Sequence, residues 1–322
     1  MTEIVVADVG GTHARFAIAT IDANGIALGE PATLKTAEHA SFQTAWQAFG
    51  AELGRPLPRA AAIAVAAPIV GEVIRFTNNP WIIRPALIAE RLGVDRHVLI
   101  NDFEAVGHAV AACDDADFVH LSGPDGPLPA VGTISIVGPG TGLGVASVRR
   151  DGDTWHVQAT EGGHVDYAPL DTIEDAILAR LRARYRRVSV ERVVSGPGIV
   201  DIYETLAAIE GRAVHSLDDR TIWARGLDSS DSLAMAAVDR FCMSLGSIAG
   251  DMALAHGANA VVIAGGLGYR LRGTLTRSGF AERFRAKGRY EALMAALPVK
   301  LITHAQPGLF GAAAAFQRSF AP

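Results

Sequence analysis

The chain has 322 residues, 49% of them apolar and 20% charged, with a formal net charge of −5 and a sequence pI near 6.1. This length exceeds the usual range of a single core and predicts two domains with a ligand cleft between them, while the apolar content excludes a disordered chain. The net negative charge leaves no cationic footprint for nucleic acid or anionic lipid, so a small-molecule partner is expected. The two cysteines, Cys113 and Cys242, are too few for a disulfide framework or a cysteine-built zinc site and read as buried thiols. No cationic leader with a cleavable apolar core opens the sequence, and no uninterrupted apolar stretch suffices to span a bilayer, so a cytoplasmic protein without a membrane partner is expected.

The chain enters a strand pattern at Ile4-Val5-Val6-Ala7, turns at Asp8-Val9-Gly10-Gly11-Thr12, and continues through His13-Ala14-Arg15 into a second strand, Phe16-Ala17-Ile18-Ala19. Adjacent glycines let a backbone approach a ligand and aim amide N–H groups at phosphate oxygens, and Asp8 supplies a carboxylate for Mg²⁺. An ordinary hairpin uses the same glycine pair, and this segment alone does not separate the two readings. There is no Gly-Lys-Ser or Gly-Lys-Thr of a Walker loop, and the strand that follows Gly10-Gly11 disfavours a Rossmann site, which would open a helix there.

A helix is predicted over residues 41–53, a strand over 60–66 and a helix over 84–92. The strand His97-Val98-Leu99-Ile100 then leads into Asn101-Asp102 and a helix from Phe103 to Ala112. The carboxyl end of such a strand is where α/β proteins gather ligand groups, so Asp102 is a candidate base; either residue is equally suited to cap the helix, and both roles are compatible. Asp114, Asp115 and Asp117 mark a polar break and a domain boundary, followed by a loop at Gly123-Pro124-Asp125-Gly126-Pro127-Leu128-Pro129.

The strand, glycine turn, strand design returns in Ile134-Ser135-Ile136-Val137, Gly138-Pro139-Gly140-Thr141-Gly142-Leu143-Gly144 and Val145-Ala146-Ser147-Val148. Next, Glu161-Gly162-Gly163-His164 holds a carboxylate and an imidazole on one tight turn, a combination suited to the hydroxyls of a polyhydroxylated ligand. A metal site is the rival reading, and it lacks visible third and fourth ligands. Helices are predicted over residues 173–187, 198–210 and 230–256. Arg180, Arg184 and Arg187 fall on one face of the first and read as a solvated face or subunit contact. Glu191 serves either the ligand or a nearby arginine. A third glycine turn closes the strand Val261-Val262-Ile263-Ala264 with Gly265-Gly266, beside an anion or nucleotide, and the alanine-rich stretch from Gly308 to Phe316 is helical by propensity.

Taken together these residues resemble the bacterial glucokinase family, the non-ROK branch of the hexokinase-like, actin-fold sugar kinases. The resemblance runs from residue 4 to the C-terminus. It is carried by Asp8-Val9-Gly10-Gly11-Thr12 with Arg15, Thr77-Asn78, Ile100-Asn101-Asp102-Phe103, Gly140-Thr141-Gly142-Leu143-Gly144, Glu161-Gly162-Gly163-His164-Val165-Asp166, Glu191-Arg192 with Ser195-Gly196-Pro197-Gly198, Ile263-Ala264-Gly265-Gly266 and Pro307-Gly308-Leu309. The cysteine-rich zinc motif of ROK kinases is absent.

The resemblance implies an α/β chain with a two-domain actin-like ATPase, ribonuclease H-like fold and a central ligand cleft, the small domain formed by residues 1–112 with 305–322 and the large one by 113–304. It implies transfer of the γ-phosphoryl group of ATP to the 6-hydroxyl of glucose, with ATP and Mg²⁺ required and a homodimer formed. Asp102 is then the general base, and Asn78, Asn101, Glu161, His164 and Glu191 hold the sugar. Asp8 acts on Mg²⁺, while Val9, Gly10, Gly11, Thr12, His13, Thr141, Gly142, Gly265 and Gly266 line the nucleotide. His13 stands where the family commonly has asparagine and leaves the phosphate turn intact. A kinase for fructose, mannose or an amino sugar, and a non-catalytic sugar sensor on the same fold, are the competing readings.

Overall fold

The computed structural model describes residues 1–76, 79–213 and 215–320. It divides into two units, one comprising Met1–Cys113, Val157–Ala159 and the chain from His304 onward, the other Asp114–His156 and Thr160–Thr303.

The first unit is built on β1 (Thr2–Val9), which pairs antiparallel with β2 (His13–Asp22). β3 (Gly25–Leu28) and β4 (Ala32–Lys35) both pair with β2, and α1 (Phe42–Leu53) follows, capped by Ser41 and ended by Gly54 in the left-handed conformation. Next come β5 (Ala60–Val65), a small hairpin of β6 (Ile74–Arg75) and β7 (Ile82–Ile83), the short α2 (Ile88–Leu92), β8 (Arg96–Asn101) and α3 (Asp102–Ala112). The sheet order is β3-β2-β1-β5-β8, with β1, β5 and β8 parallel.

β1 reads as a continuous apolar run because both its faces are covered. Val5, Ala7 and Val9 join Phe16, Phe42, Trp46 and Phe49 on one side, while Ile4 and Val6 meet Leu309, Ala312, Ala313 and Phe316 on the other. β5 divides in the same way: Ile63 and Val65 serve the aromatic side, and Ala60, Ala62 and Ala64 the second.

The second unit runs through β9 (Phe118–Ser122), β10 (Val131–Pro139), β11 (Leu143–Asp151) and the ends of β12 (Thr154–Thr160), whose residues Val157–Ala159 are counted with the first unit. It continues with α4 (Thr172–Arg182), α5 (Gly198–Ile209), α6 (Asp219–Leu227), α7 (Ser232–His256), β13 (Ala260–Ile263), α8 (Gly265–Arg270), α9 (Arg272–Leu275), α10 (Phe280–Arg285), α11 (Glu291–Ala295) and β14 (Val299–Ile302). Its sheet order is β12-β11-β10-β13-β14-β9. β10 again forms a hairpin with the next strand and runs parallel to β13, which runs parallel to β14, so the plan of the first sheet is repeated. α7 is long and apolar enough by composition to cross a bilayer, yet 67% of that stretch is buried among the other residues of the protein, as befits a core helix.

After β14 the chain returns to the first unit as α12 (Pro307–Phe320). This helix packs on α3 closely enough that a Cβ on Gly311 would lie 1.7 Å from the Ala105 carbonyl oxygen and 2.9 Å from the Ala109 nitrogen. Backbone cannot yield there as a side chain would. Gly311→Ala is therefore expected to cost about 1–3 kcal/mol of stability by overpacking, read as a lower Tm; an unchanged Tm would show that the two helices part freely.

His108 on α3 has its pKa lowered to about 4, first by burial and then by the charge of Arg318. The unfolded imidazole takes up its proton near pH 6.5 and the folded one only near 4. Stability is therefore full above about pH 6.5 and is lost as the pH falls toward 4, by up to about 3 kcal/mol. Thermal unfolding at about pH 7 and about pH 5 tests this, and His108→Gln should flatten the difference.

Candidate active site

In the first unit, the register that pairs Asp8 with Arg15 across β1 and β2 leaves residues 10–12 as the turn. Its backbone carbonyls are engaged: Gly10 accepts from Asn79 Nδ2 at 3.4 Å, Gly11 from Thr36 Oγ1 at 2.9 Å, and Thr12 from the Thr36 amide at 3.0 Å. In a trans peptide the carbonyl and the following N–H point in opposite directions, so the amides of Gly11 and Thr12 face away from these partners as a pair of donors. The Gly10 amide closes the turn on the His13 carbonyl at 2.9 Å. Sequence reading did not single out Thr36 or Asn79, since neither lies in a glycine motif. Asn78 lies outside the described residues.

Asp8 is the penultimate residue of β1, its carboxylate 3.3 Å from Arg15, and its pKa is raised because burial outweighs the arginine. Gly308, in the first turn of α12, passes so close that a Cβ there would come within 2.8 Å of Asp8 Oδ2. A carboxylate held at low hydration beside a single arginine suits a dication that keeps water and phosphate among its ligands.

Of the two roles that the sequence left open for Asn101 and Asp102, the structure shows the cap. Asn101 is the N-cap of α3, its Oδ1 accepting from the amides of Phe103 at 2.8 Å and Glu104 at 3.3 Å, while its Nδ2 donates to the Ala67 carbonyl at 3.2 Å. Glu104 completes a capping box by accepting from the Asn101 amide. Asp102 is the first helical residue, with Oδ1 accepting from the Phe103 amide at 2.9 Å. A carboxylate here is favoured by the helix dipole and held in direction by its rigid cap.

In the second unit, the candidate residues gather on the β10–β11 hairpin. The Leu143 amide donates to Glu191 Oε2 at 2.8 Å, and a Cβ on Gly163 would come within 2.1 Å of the Leu143 carbonyl oxygen. One peptide segment thus carries both Glu191 and the turn that follows Glu161. That turn, Gly162–His164, places His164 Nε2 3.8 Å from Glu161 Oε2, with both side chains more than half exposed. Across the hairpin end, the Gly196 amide donates to the Gly140 carbonyl at 2.7 Å. Gly265 opens α8 at φ +79°, where a Cβ would lie 2.6 Å from the Pro139 carbonyl oxygen. Positive φ and close backbone both call for glycine there.

The three arginines do not share a helical face. α4 ends at Arg182, since Val188–Val190 instead pair with Val165–Tyr167 through the Tyr167 and Val190 amides. Arg180 and Arg184 reach Glu204 and Asp201. Arg187 turns to the candidate turn itself: it donates to the His164 carbonyl at 2.6 Å and pairs with Asp166 at 2.6 Å.

The sequence matches the model of the Glucokinase family over residues 5–319. It is 59% identical over 320 residues to the glucokinase of Zymomonas mobilis, covering 99% of this chain and 98% of that protein. The chain belongs to the glucokinase family. A glucokinase from an Antarctic psychrotroph is 34% identical with a TM-score of 0.85, covering 99% of both chains. A ROK-family glucokinase from Streptomyces griseus, solved with glucose and AMPPNP, shares the fold alone, at 16% identity and a TM-score of 0.62 over 97% of this chain and 98% of that one. The fold is thus the mixed α/β, two-domain sugar-kinase fold of the actin-like ATPases.

Within this glucokinase-family chain, the Leu143 contact yields a direct test. A Cβ at Gly142 would lie 2.4 Å from Glu191 Oε2. Gly142→Ala should push that carboxylate off the Leu143 amide, cost about 1–3 kcal/mol and speed hydrogen exchange at Leu143. Unchanged exchange would show that the contact is dispensable.

Proposed function

We infer that this chain transfers the γ-phosphoryl group of ATP to the 6-hydroxyl of glucose, giving glucose 6-phosphate and ADP. What carries the reading is Asp102, a carboxylate fixed on the first turn of α3 by the Asn101 cap, in a chain 59% identical to a glucokinase. In this reading Asp102 accepts the hydroxyl proton as the sugar oxygen attacks phosphorus. Asn101, Glu161, His164 and Glu191, with Asn78, hold the remaining hydroxyls.

The Gly11 and Thr12 amides and the Thr141-Gly142 turn grip phosphates, with Val9 and His13 flanking the first turn, and Gly265 and Gly266 lie beside the adenosine. Backbone donors suit this task because phosphoryl transfer calls for positioning and charge neutralisation more than covalent chemistry. Asp8 is the residue that would hold Mg²⁺, whose charge offsets that of the phosphates when bound. Among the described residues no three His, Cys, Asp or Glu side chains cluster for a metal, which accords with an ion carried chiefly by the nucleotide.

The two-cysteine sequence supports assignment to the non-ROK branch. The family resemblance supports a homodimer, and the composition a cytoplasmic location.

A coupled assay with ATP and Mg²⁺ across glucose, mannose, fructose, glucosamine and N-acetylmannosamine should give turnover mainly with glucose, abolished by EDTA. Turnover mainly on another sugar would change the substrate, and sugar binding without turnover would remove the activity. Asp102→Ala should lower kcat by a factor of about 10² to 10⁴ with the fold intact. Near-normal turnover in that variant would take Asp102 out of the mechanism.

A further inference from the structure

The turn that carries His164 is held at Gly162, whose amide donates to Thr160 Oγ1 at 3.2 Å, and at Gly163, which packs on the Leu143 carbonyl, so its His164 end is the part left to other groups. Its internal bonds run from the His164 amide to the Glu161 carbonyl at 2.9 Å and from the Val165 amide to the Gly162 carbonyl at 3.3 Å. Beyond it, the chain is stitched to residues 188–190 by the Tyr167 and Val190 amides at 3.0 and 2.9 Å. Between these two anchored stretches lies the His164 carbonyl, and the group that meets it is the Arg187 guanidinium, which also takes the Asp166 carboxylate.

We propose that Arg187 is a positioning residue for the sugar: its guanidinium bridges the His164 carbonyl and the Asp166 carboxylate, and thereby sets the direction in which the His164 imidazole leaves the turn. Fixing that carbonyl fixes the peptide plane that follows His164 and hence the backbone from which the imidazole projects. A guanidinium is suited to this because it is planar and presents its donors in a rigid fork, whereas a lysine is a point charge on a flexible stem. The Arg187 side chain is 60% exposed and that of Asp166 76%, so the pair contributes little to global stability, and its effect falls on the turn. The same exposure makes the clamp sensitive to salt.

The proposal rests on the assignment of His164 to the sugar, and the experiment separates the two. Arg187→Met, Arg187→Lys, Asp166→Asn and His164→Ala are compared for KM of glucose, KM of ATP, kcat and Tm, with KM of glucose repeated at low and high NaCl. Arg187→Met should raise KM for glucose about tenfold while leaving KM for ATP within about twofold, with Tm nearly unchanged and only partial recovery in Arg187→Lys. Asp166→Asn should move the glucose KM in the same direction. In the unaltered enzyme KM for glucose should rise with salt, and in Arg187→Met that dependence should vanish. A glucose KM within about twofold of the parent in Arg187→Met, while His164→Ala raises it, overturns the clamp and leaves the sugar assignment standing. A parallel rise in both KM values, with a fall in Tm, overturns it in favour of a structural role. No change in His164→Ala removes His164 from the sugar site, and the clamp with it.

Discussion

In the second unit, the arrangement depends on one stretch of backbone, the end of the β10–β11 hairpin around Leu143. Its amide holds the Glu191 carboxylate and its carbonyl lies against Gly163, while the neighbouring carbonyls of Pro139 and Gly140 meet Gly265 and the Gly196 amide. Three segments that are distant in sequence thus take their positions from a few peptide groups. The hairpin can bear this because β10 is paired on both sides and its residues Ile134, Ile136 and Val137 are wholly buried. Main chain locked into a sheet is the least adjustable material a protein has, so groups that lean on it inherit its precision.

The first unit reaches the same end by other means. Its hairpin turn is fixed from behind, through carbonyls that accept from Thr36 and Asn79, and its carboxylate Asp102 is fixed by a cap whose amide is oriented from both ends. Close packing supports both. Alanines on one face of β5 and small residues on α12 let that helix lie near the sheet, which brings Gly308 against Asp8 and Gly311 against α3. Small side chains here are what permits backbone to approach backbone.

Much of this was legible in the sequence, for identifiable reasons. The two hairpins announced themselves because their strands are apolar runs broken by glycines, and Asn101-Asp102 because strand-to-helix junctions draw such residues. Of the two readings of that pair the structure bears on the cap, which falls to Asn101, while Asp102 stands next to it as the first residue of the helix. What spacing misplaced was the end of α4. A helical period through residue 187 takes no account of Val188–Val190 finding β-type partners at Val165–Tyr167, and tertiary pairing won. Arg187 was illegible for the same reason, because its partners lie more than twenty residues upstream and no local pattern points to them. Thr36 and Asn79 act through bonds to main chain, which leave no signature of residue type.

The placement of α12 has a consequence for how such a chain is made. β1, β5 and β8 leave the ribosome first, yet the helix that covers their second face is encoded roughly 200 residues after β8 ends, behind the whole of the second unit. During synthesis Ile4, Val6 and the alanine face of β5 therefore wait without their α12 partners, Leu309, Ala312, Ala313 and Phe316. The unit begun first is the one finished last, and the nascent protein presents an apolar sheet face for most of its elongation. Truncations that spare every residue assigned to chemistry but remove α12 would yield a chain unable to close its own core.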